Sequence, residues 1–349
     1  MIFKRFLQTA GKNIGFAFDI DGVLLRSRTP IPGAKEALNI LNESRIPYVL
    51  LTNGGGSMEI QRAEFISEAL GVEISSSQVV LSHTPFRTLV DKYDKILAVG
   101  TPSVRDVAHG YGFKDVVHQT DIIRYNKYIT PFSGLSNEQL EQYSRDIPNL
   151  DSKRFDAVLV FNDPHDWAAD IQIITDLLST ENGMLNSLRE EKTNKPSIPI
   201  YFSNNDLLWA NGYSLNRFGQ GAFRMLVHAL YSSLNNGLPL DDTVIGKPTK
   251  LTYDFAHNVL ISWRKTLVSG KKSNTLPNWG QEPKNSPFDK VYMVGDNPAS
   301  DIIGAQNYGW SSCLVKTGVY RKGDPLVACK PTMIVDDVYK AVIRALEES

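Results

Sequence analysis

The chain has little cysteine, no excess of either charge and no long apolar run, and each shortage removes a class of protein. Two cysteines, Cys313 and Cys329, in 349 residues cannot build a disulfide framework. No cluster of cysteine and histidine has zinc-site spacing. Lysine and arginine total 37 against 38 aspartate and glutamate, a net charge of −1. Sequence-independent nucleic-acid binding depends on a basic excess, so no nucleic-acid partner is expected. Apolar runs such as Ala157 to Phe161 fall far short of a membrane span. What is there is core material: 42% hydrophobic and 10% aromatic residues, which excludes a disordered tail. At ~150 residues per domain the length suits two domains, and a soluble, intracellular globular protein is the expectation.

The first residues depart from that average. Lys4, Arg5 and Lys12 precede the first acid, Asp19, with Phe3, Phe6 and Leu7 among them. A short basic amphipathic segment of this kind resembles a mitochondrial presequence, the alternative being a frayed terminus of a cytoplasmic protein. Any cleavage is expected before about residue 13, where a strand begins.

Ile14–Phe18 reads as a buried strand, Gly33–Leu41 as a helix, Tyr48–Leu51 as a second strand and Ser57–Leu70 as a helix closed by Gly71. The same rhythm recurs from Ile96 to about Phe161, through a helix near Asp170–Leu178, to the strand Ile200–Phe202. It resumes with Val291–Val294, a helix Ala299–Tyr308, the strand Cys313–Val315 and a last helix from about Asp337. Alternation at these lengths implies right-handed crossovers and an α/β fold with helices on both faces of a parallel sheet. Glu190–Pro199 reads as a surface loop, and Lys265–Lys290, rich in Lys, Ser, Asn and Pro, as an exposed excursion.

Four short motifs follow strands or precede helices. Asp19-Ile20-Asp21-Gly22 places two carboxylates at a strand's carboxyl end, where α/β sheets bind ligands; alone, such a pair is more often turn structure. Thr52-Asn53-Gly54-Gly55-Gly56 offers a hydroxyl and a run of N–H donors suited to phosphate, or simply a flexible lead into a helix. Gly246-Lys247-Pro248 is uninformative by itself. Gly295-Asp296-Asn297 ends a further strand, with Asp301 in the next helix's first turn, where an acid is also a dipole partner.

In this order the four motifs resemble the haloacid dehalogenase (HAD) superfamily of phosphatases, over about Ile14–Asn53 and Ile245–Asp301. The long separation of the second and third motifs resembles subfamily IIA, with a Rossmann-like core and a large α/β cap of the C2 type. The resemblance implies a core of residues 1–82 and 240–349 and a cap of 83–239, some 157 residues. Ser82-His83-Thr84-Pro85, Phe161-Asn162-Asp163-Pro164 and Arg217-Phe218-Gly219-Gln220-Gly221 resemble the cat eye syndrome critical region branch, which includes a mitochondrial hydrolase. Asn53-Gly54-Gly55-Gly56 departs from the Asn-Asn-Ser of many relatives, a change expected to widen the site or loosen its loop.

Hard oxygen ligands without His or Cys point to Mg²⁺. The resemblance implies that Asp19, the Asp21 carbonyl and Asp296 hold the ion while Asp301 acts from behind them. It also implies that Asp19 is the nucleophile, Asp21 the general acid and base, and Lys247 the neutralising cation. Thr52, Asn53 and Gly54 would bind phosphoryl oxygens. On the cap, Asn204 and Asp206 are candidate substrate contacts, Arg217 and His83 weaker ones, each with an ordinary turn, surface or packing reading beside it. Trp167, Trp209, Tyr213 and Phe223 are expected to build the cap's core. The reaction implied is hydrolysis of a small phosphomonoester, a phosphorylated polyol such as glycerol phosphate, with homodimerisation through the cap. The alternative is a HAD-fold module that binds a metabolite or protein with only residual hydrolysis. Ala98-Val99-Gly100-Thr101-Pro102-Ser103 lacks G-x-G-x-x-G, which weighs against a dinucleotide enzyme. A halide-cleaving dehalogenase would need neither Asp21 nor Asp296.

Overall fold

In a computed structural model, which describes residues 13–271, 276–321, 323 and 329–349, the chain forms two parallel sheets. The basic segment ahead of residue 13 lies outside the described residues.

The first sheet runs Met333–Val335, Ser311–Val315, Lys290–Gly295, Ile14–Phe18, Tyr48–Leu51 and Val79–Val80, all parallel. Ile14–Phe18 is buried throughout, as a strand covered on both faces must be. Its alternate side chains part to opposite faces. Phe16 and Phe18 pack with Ala37, Leu38 and Leu41 of the helix Ala34–Glu43, whereas Ala17 faces Phe255, Ala256 and Leu260 of the helix Lys250–Ser269. Neighbours continue in opposite directions from Ile14–Phe18, which makes its carboxyl end the sheet's crossover crevice.

The second sheet runs Thr243–Val244, Ile200–Phe202, Ala157–Val160, Lys95–Val99 and Asp115–His118, again all parallel. Leu97, Val158 and Phe202 bury one face against the helices Trp167–Leu178 and Gln220–Leu234. Ile96, Leu159 and Tyr201 bury the other with Val104 and Val107 of the helix Val104–Tyr111. Between Leu207 and Gly219 the chain makes an antiparallel ribbon, Leu208 opposite Phe218 and Trp209 opposite Arg217.

Several expectations shift. Thr243–Val244 pairs with Ile200–Phe202, so this strand belongs to the second sheet although it lies beyond the expected boundary at 239/240. The excursion expected from Lys265 begins later, because Lys265–Ser269 completes the helix begun at Lys250, which Gly270 ends at φ 70°. Ser57–Met58 precede the helix Glu59–Leu70, whose first turn closes when the Met58 N–H donates to the Gln61 side chain. Over Pro298–Ile302 the backbone makes a wide turn before the regular helix Ile303–Tyr308.

Candidate active site

Asp19, Thr52 and Asp296 follow three adjacent central strands directly, so local chain direction delivers all three to one crevice. Lys247 arrives from the segment leaving the second sheet and is 2% exposed. Its ammonium donates to Asp19 Oδ1 at 2.7 Å and Asp301 Oδ1 at 2.6 Å. Burial alone would lower the Lys247 pKa, but the two carboxylates more than reverse that and hold it charged. The second Asp301 oxygen accepts the Asn297 N–H at 3.0 Å, so both its oxygens are engaged by protein donors.

Asp296 takes the Val319 N–H at 2.5 Å on Oδ2. Glycine makes room for these acids. A Cβ at Gly318 would lie 1.9 Å from Asp296 Oδ2, one at Gly22 2.5 Å from the same oxygen, and one at Gly295 2.3 Å from the Asp301 carboxylate. Burial drives the Asp296 carboxyl well above the usual range and the nearby Asp19 and Asp301 charges push it further. Burial also raises Asp301, to about 6, against the pull of Lys247, and Asp19 moves the same way for the same cause. Ligand oxygens of Asp19, Asp296 and Asp301 lie within 4.8 Å of one another. Three acids converging on one lysine are short of positive charge, and an all-oxygen donor set fits a hard divalent cation. Asp21 sits beside them, with Oδ2 3.0 Å from the Arg62 guanidinium; burial raises its pKa and Arg62 opposes the rise.

The Asn53 amide ties the loops together. Its Oδ1 accepts the Lys247 N–H at 2.8 Å, and its Nδ2 donates to the Lys247 carbonyl at 3.0 Å and to Asp206 Oδ2 at 2.9 Å. Asn204 Nδ2 donates to the Asn53 carbonyl at 3.0 Å. The Gly54 N–H donates to Thr52 Oγ1 at 2.9 Å. The glycine run is tightly seated: a Cβ on Gly55 would meet His83 at 2.6 Å and the Phe161 carbonyl at 2.9 Å, and one on Gly56 would meet Asn162 at 2.4 Å. Burial lowers the His83 pKa to about 4, so the ring is neutral. Nε2 therefore accepts the Gly56 N–H at 3.0 Å, leaving Nδ1–H to donate to the Tyr111 hydroxyl at 2.8 Å, which donates onward to Glu59. Only Gly54 opens toward the acids, with Asp21 Oδ2 3.6 Å from its Cβ position. The departure from Asn-Asn-Ser thus leaves the loop firmly held.

Asp19, Asp21, Thr52, Asn53, Gly54, Lys247, Asp296 and Asp301 line one cavity of about 230 Å³, closed by Asp163, Asn204 and Asp206 after strands of the second sheet and by Leu208 and Trp209 of the ribbon. Burial pushes Asp206 and Asp163 to about 6 each.

Residues 16–114 match the family described as haloacid dehalogenase-like hydrolase, and residues 244–341 match that described as HAD-hydrolase-like. A Saccharomyces cerevisiae protein named a mitochondrial hydrolase is 68% identical over 100% of this chain and 99% of its own. The chain belongs to the haloacid dehalogenase superfamily. A Schizosaccharomyces pombe relative, named a fusion of cardiolipin synthase (CMP-forming) with a mitochondrial hydrolase, is 38% identical over 96% of this chain. This HAD hydrolase spans only 53% of that relative's length. Among solved structures, a possible sugar phosphatase of Cytophaga hutchinsonii aligns at TM-score 0.61, with 19% identity over 97% of both chains. NagD of Escherichia coli aligns at 0.55, with 18% identity over 93% of this chain and 97% of its own. Glycerol phosphate phosphatase of Mycobacterium tuberculosis, in complex with calcium, aligns at 0.54, with 18% identity over 96% of this chain and 75% of its own. These likenesses show the fold, that of the NagD-like subfamily IIA.

The HAD chain's sequence motifs converge as expected, but some neighbours carried no signal. Arg62 on Asp21 and Gly318-Val319 around Asp296 lie in segments with no recognisable motif. His83 is buried within its own network, and Arg217 lies on the surface over the Tyr213 ring at 5.1 Å. Phe223 is in the core and Trp167 packs against it, but Trp209 and Tyr213 are exposed. They ride on the ribbon, where two strands alone have no second layer to bury them.

Proposed function

We propose that this HAD hydrolase is a Mg²⁺-dependent phosphatase that cleaves phosphomonoesters through an aspartyl-phosphate on Asp19. The reading is carried by the Lys247 ammonium held between Asp19 and Asp301 at the bottom of a small, roofed cavity. Asp19 attacks phosphorus as a carboxylate nucleophile, and the bond to the leaving alcohol breaks. Asp21 protonates the departing oxygen and then takes a proton from the water that cleaves the acyl phosphate, a role worth ~10²–10⁴-fold. Arg62 fixes the Asp21 carboxylate at 3.0 Å. Thr52, the Asn53 N–H and Gly54 bind phosphoryl oxygens, while Asn204 and Asp206 secure the cap side. Asp19 and Asp296 would hold the cation, with Asp301 supporting them through Lys247, and the ion would neutralise the phosphoryl charge. One ester and one water give an alcohol and inorganic phosphate.

A volume of about 230 Å³ suits a phosphate with a small polyol such as glycerol, the substrate that the M. tuberculosis structure names. The yeast relative's name supports a mitochondrial location. Phosphate release from a panel of small phosphomonoesters, with Mg²⁺ or with EDTA, tests the reading. Turnover in wild type lost both in EDTA and in Asp19→Asn is expected. Full activity in Asp19→Asn would remove the nucleophile from the proposal.

A further inference from the structure

The geometry points to a substrate with an acyl chain: its phosphate and the adjoining polyol occupy the cavity, and its hydrocarbon lies along the ribbon Leu207–Phe218. This rests on the phosphatase reading and names the substrate class of that site.

The cavity's apolar wall is Leu208, Trp209 and Ala210. The same wall continues outward. Leu208 pairs directly across the ribbon with Phe218, so the two share a face that starts in the cavity and ends in solvent, Phe218 being 64% exposed. Leu215, 60% exposed, lies nearby toward the tip, whereas Tyr213 stacks with Arg217 on the other face. A ribbon of two strands holding large apolar groups in water is an expensive surface unless something covers it. Its position at the mouth of a phosphate-sized cavity identifies the occupant as the apolar end of the molecule whose polar end is inside. Arg217 pairs across from Trp209 on the ribbon's other face, over the Tyr213 ring, and the Arg321 guanidinium, bonded to the Ser214 carbonyl at 2.5 Å, ties the ribbon's tip to the segment that follows the strand Ser311–Val315. The S. pombe relative carries the homologous unit in one chain with an enzyme named for making a lipid, which places the two chemistries side by side.

The test compares sn-glycerol 3-phosphate with its monohexanoyl and monodecanoyl esters, each below its critical micelle concentration, all releasing inorganic phosphate. A methylene leaving water is worth roughly fourfold in affinity. The expected result is a kcat/KM that climbs at least tenfold from the unacylated to the decanoyl ester. In the double variant Leu215→Ser/Phe218→Ser the series flattens, while p-nitrophenyl phosphate is turned over as in wild type. Neither residue lines the cavity, so the variant leaves the chemistry intact. A flat series in wild type overturns the proposal, as does an equally steep one in the variant. So does a dimer, seen by sedimentation, that the variant dissociates without altering the series. Absence of p-nitrophenyl phosphate turnover, or turnover undiminished in Asp19→Asn, would instead bring down the phosphatase reading itself.

Discussion

The floor of the cavity buries Asp19, Asp296, Asp301 and Lys247, each with a fixed hydrogen-bond partner. The ribbon at its mouth leaves Trp209, Tyr213, Leu215 and Phe218 to solvent. The contrast separates two tasks. Charges that must act on phosphorus are held in place by desolvation and mutual attraction, so each depends strongly on the others. Groups that only recognise the rest of a substrate meet no such constraint and can sit on a ribbon with little tertiary support. Substitutions on the floor should therefore be costly and coupled, and those at the rim nearly free.

Lys247→Ala should show the largest effect. It leaves the Asp19 and Asp301 carboxylates buried without their cation, and breaking such a group costs about 3–5 kcal/mol. Urea unfolding in EDTA should register that loss together with abolished phosphate release. A variant as stable as wild type would show that the floor is not electrostatically coupled.

Next comes the glycine loop. A Gly55→Ala methyl meets His83 at 2.6 Å and the Phe161 carbonyl at 2.9 Å, so overpacking should cost about 1–3 kcal/mol. Gly54→Ala has Thr52 Oγ1 at 3.2 Å as its nearest contact and should cost far less. Equal melting temperatures for the two would contradict the tight seating of Gly55.

The roof supplies a pH test. Burial raises Asp163 from 3.8 to about 6, and its Oδ1 has no hydrogen-bond partner. Below about 4 the carboxyl is neutral in both folded and unfolded chains. From about 4 to about 6 the unfolded chain ionises while the folded carboxyl stays neutral, so this group's favourable contribution is progressively lost and is gone above about 6. Asp163→Asn should then match wild type below pH 4 and exceed it by ~3 kcal/mol at pH 7.5. A stability gain of the same size at both pH values would assign the effect to packing.

Much of the floor is legible from sequence because its acids sit directly after apolar strands, and strand direction alone carries Asp19, Thr52 and Asp296 to one edge. Lys247 has no such local signal and depends on its place in the order of motifs. Arg62 was invisible: it meets Asp21 because the helix Glu59–Leu70 packs across the crevice, a contact spanning 41 positions. The edge strands Val79–Val80 and Met333–Val335 are too short to show a period. Trp209 and Tyr213 misled for the opposite reason: large aromatics ordinarily fill cores, whereas these sit on a two-stranded ribbon and stay 42% and 57% exposed.

That exposure gives the smallest effect and the clearest contrast. Serine at Leu215 and Phe218 removes two mostly exposed side chains, and surface changes of this kind usually stay within about 0.5 kcal/mol. The hydrogen bond from the Trp209 indole Nε1–H to the Phe218 carbonyl does not involve the substituted side chains and survives, so the ribbon keeps its register. Urea midpoints of wild type and double variant should coincide, with unchanged slopes. A loss of several kcal/mol would mean that the ribbon's apolar groups are structural in solution, buried by a contact within the chain or by a second copy, and the division between a coupled floor and an independent rim would fail at the rim.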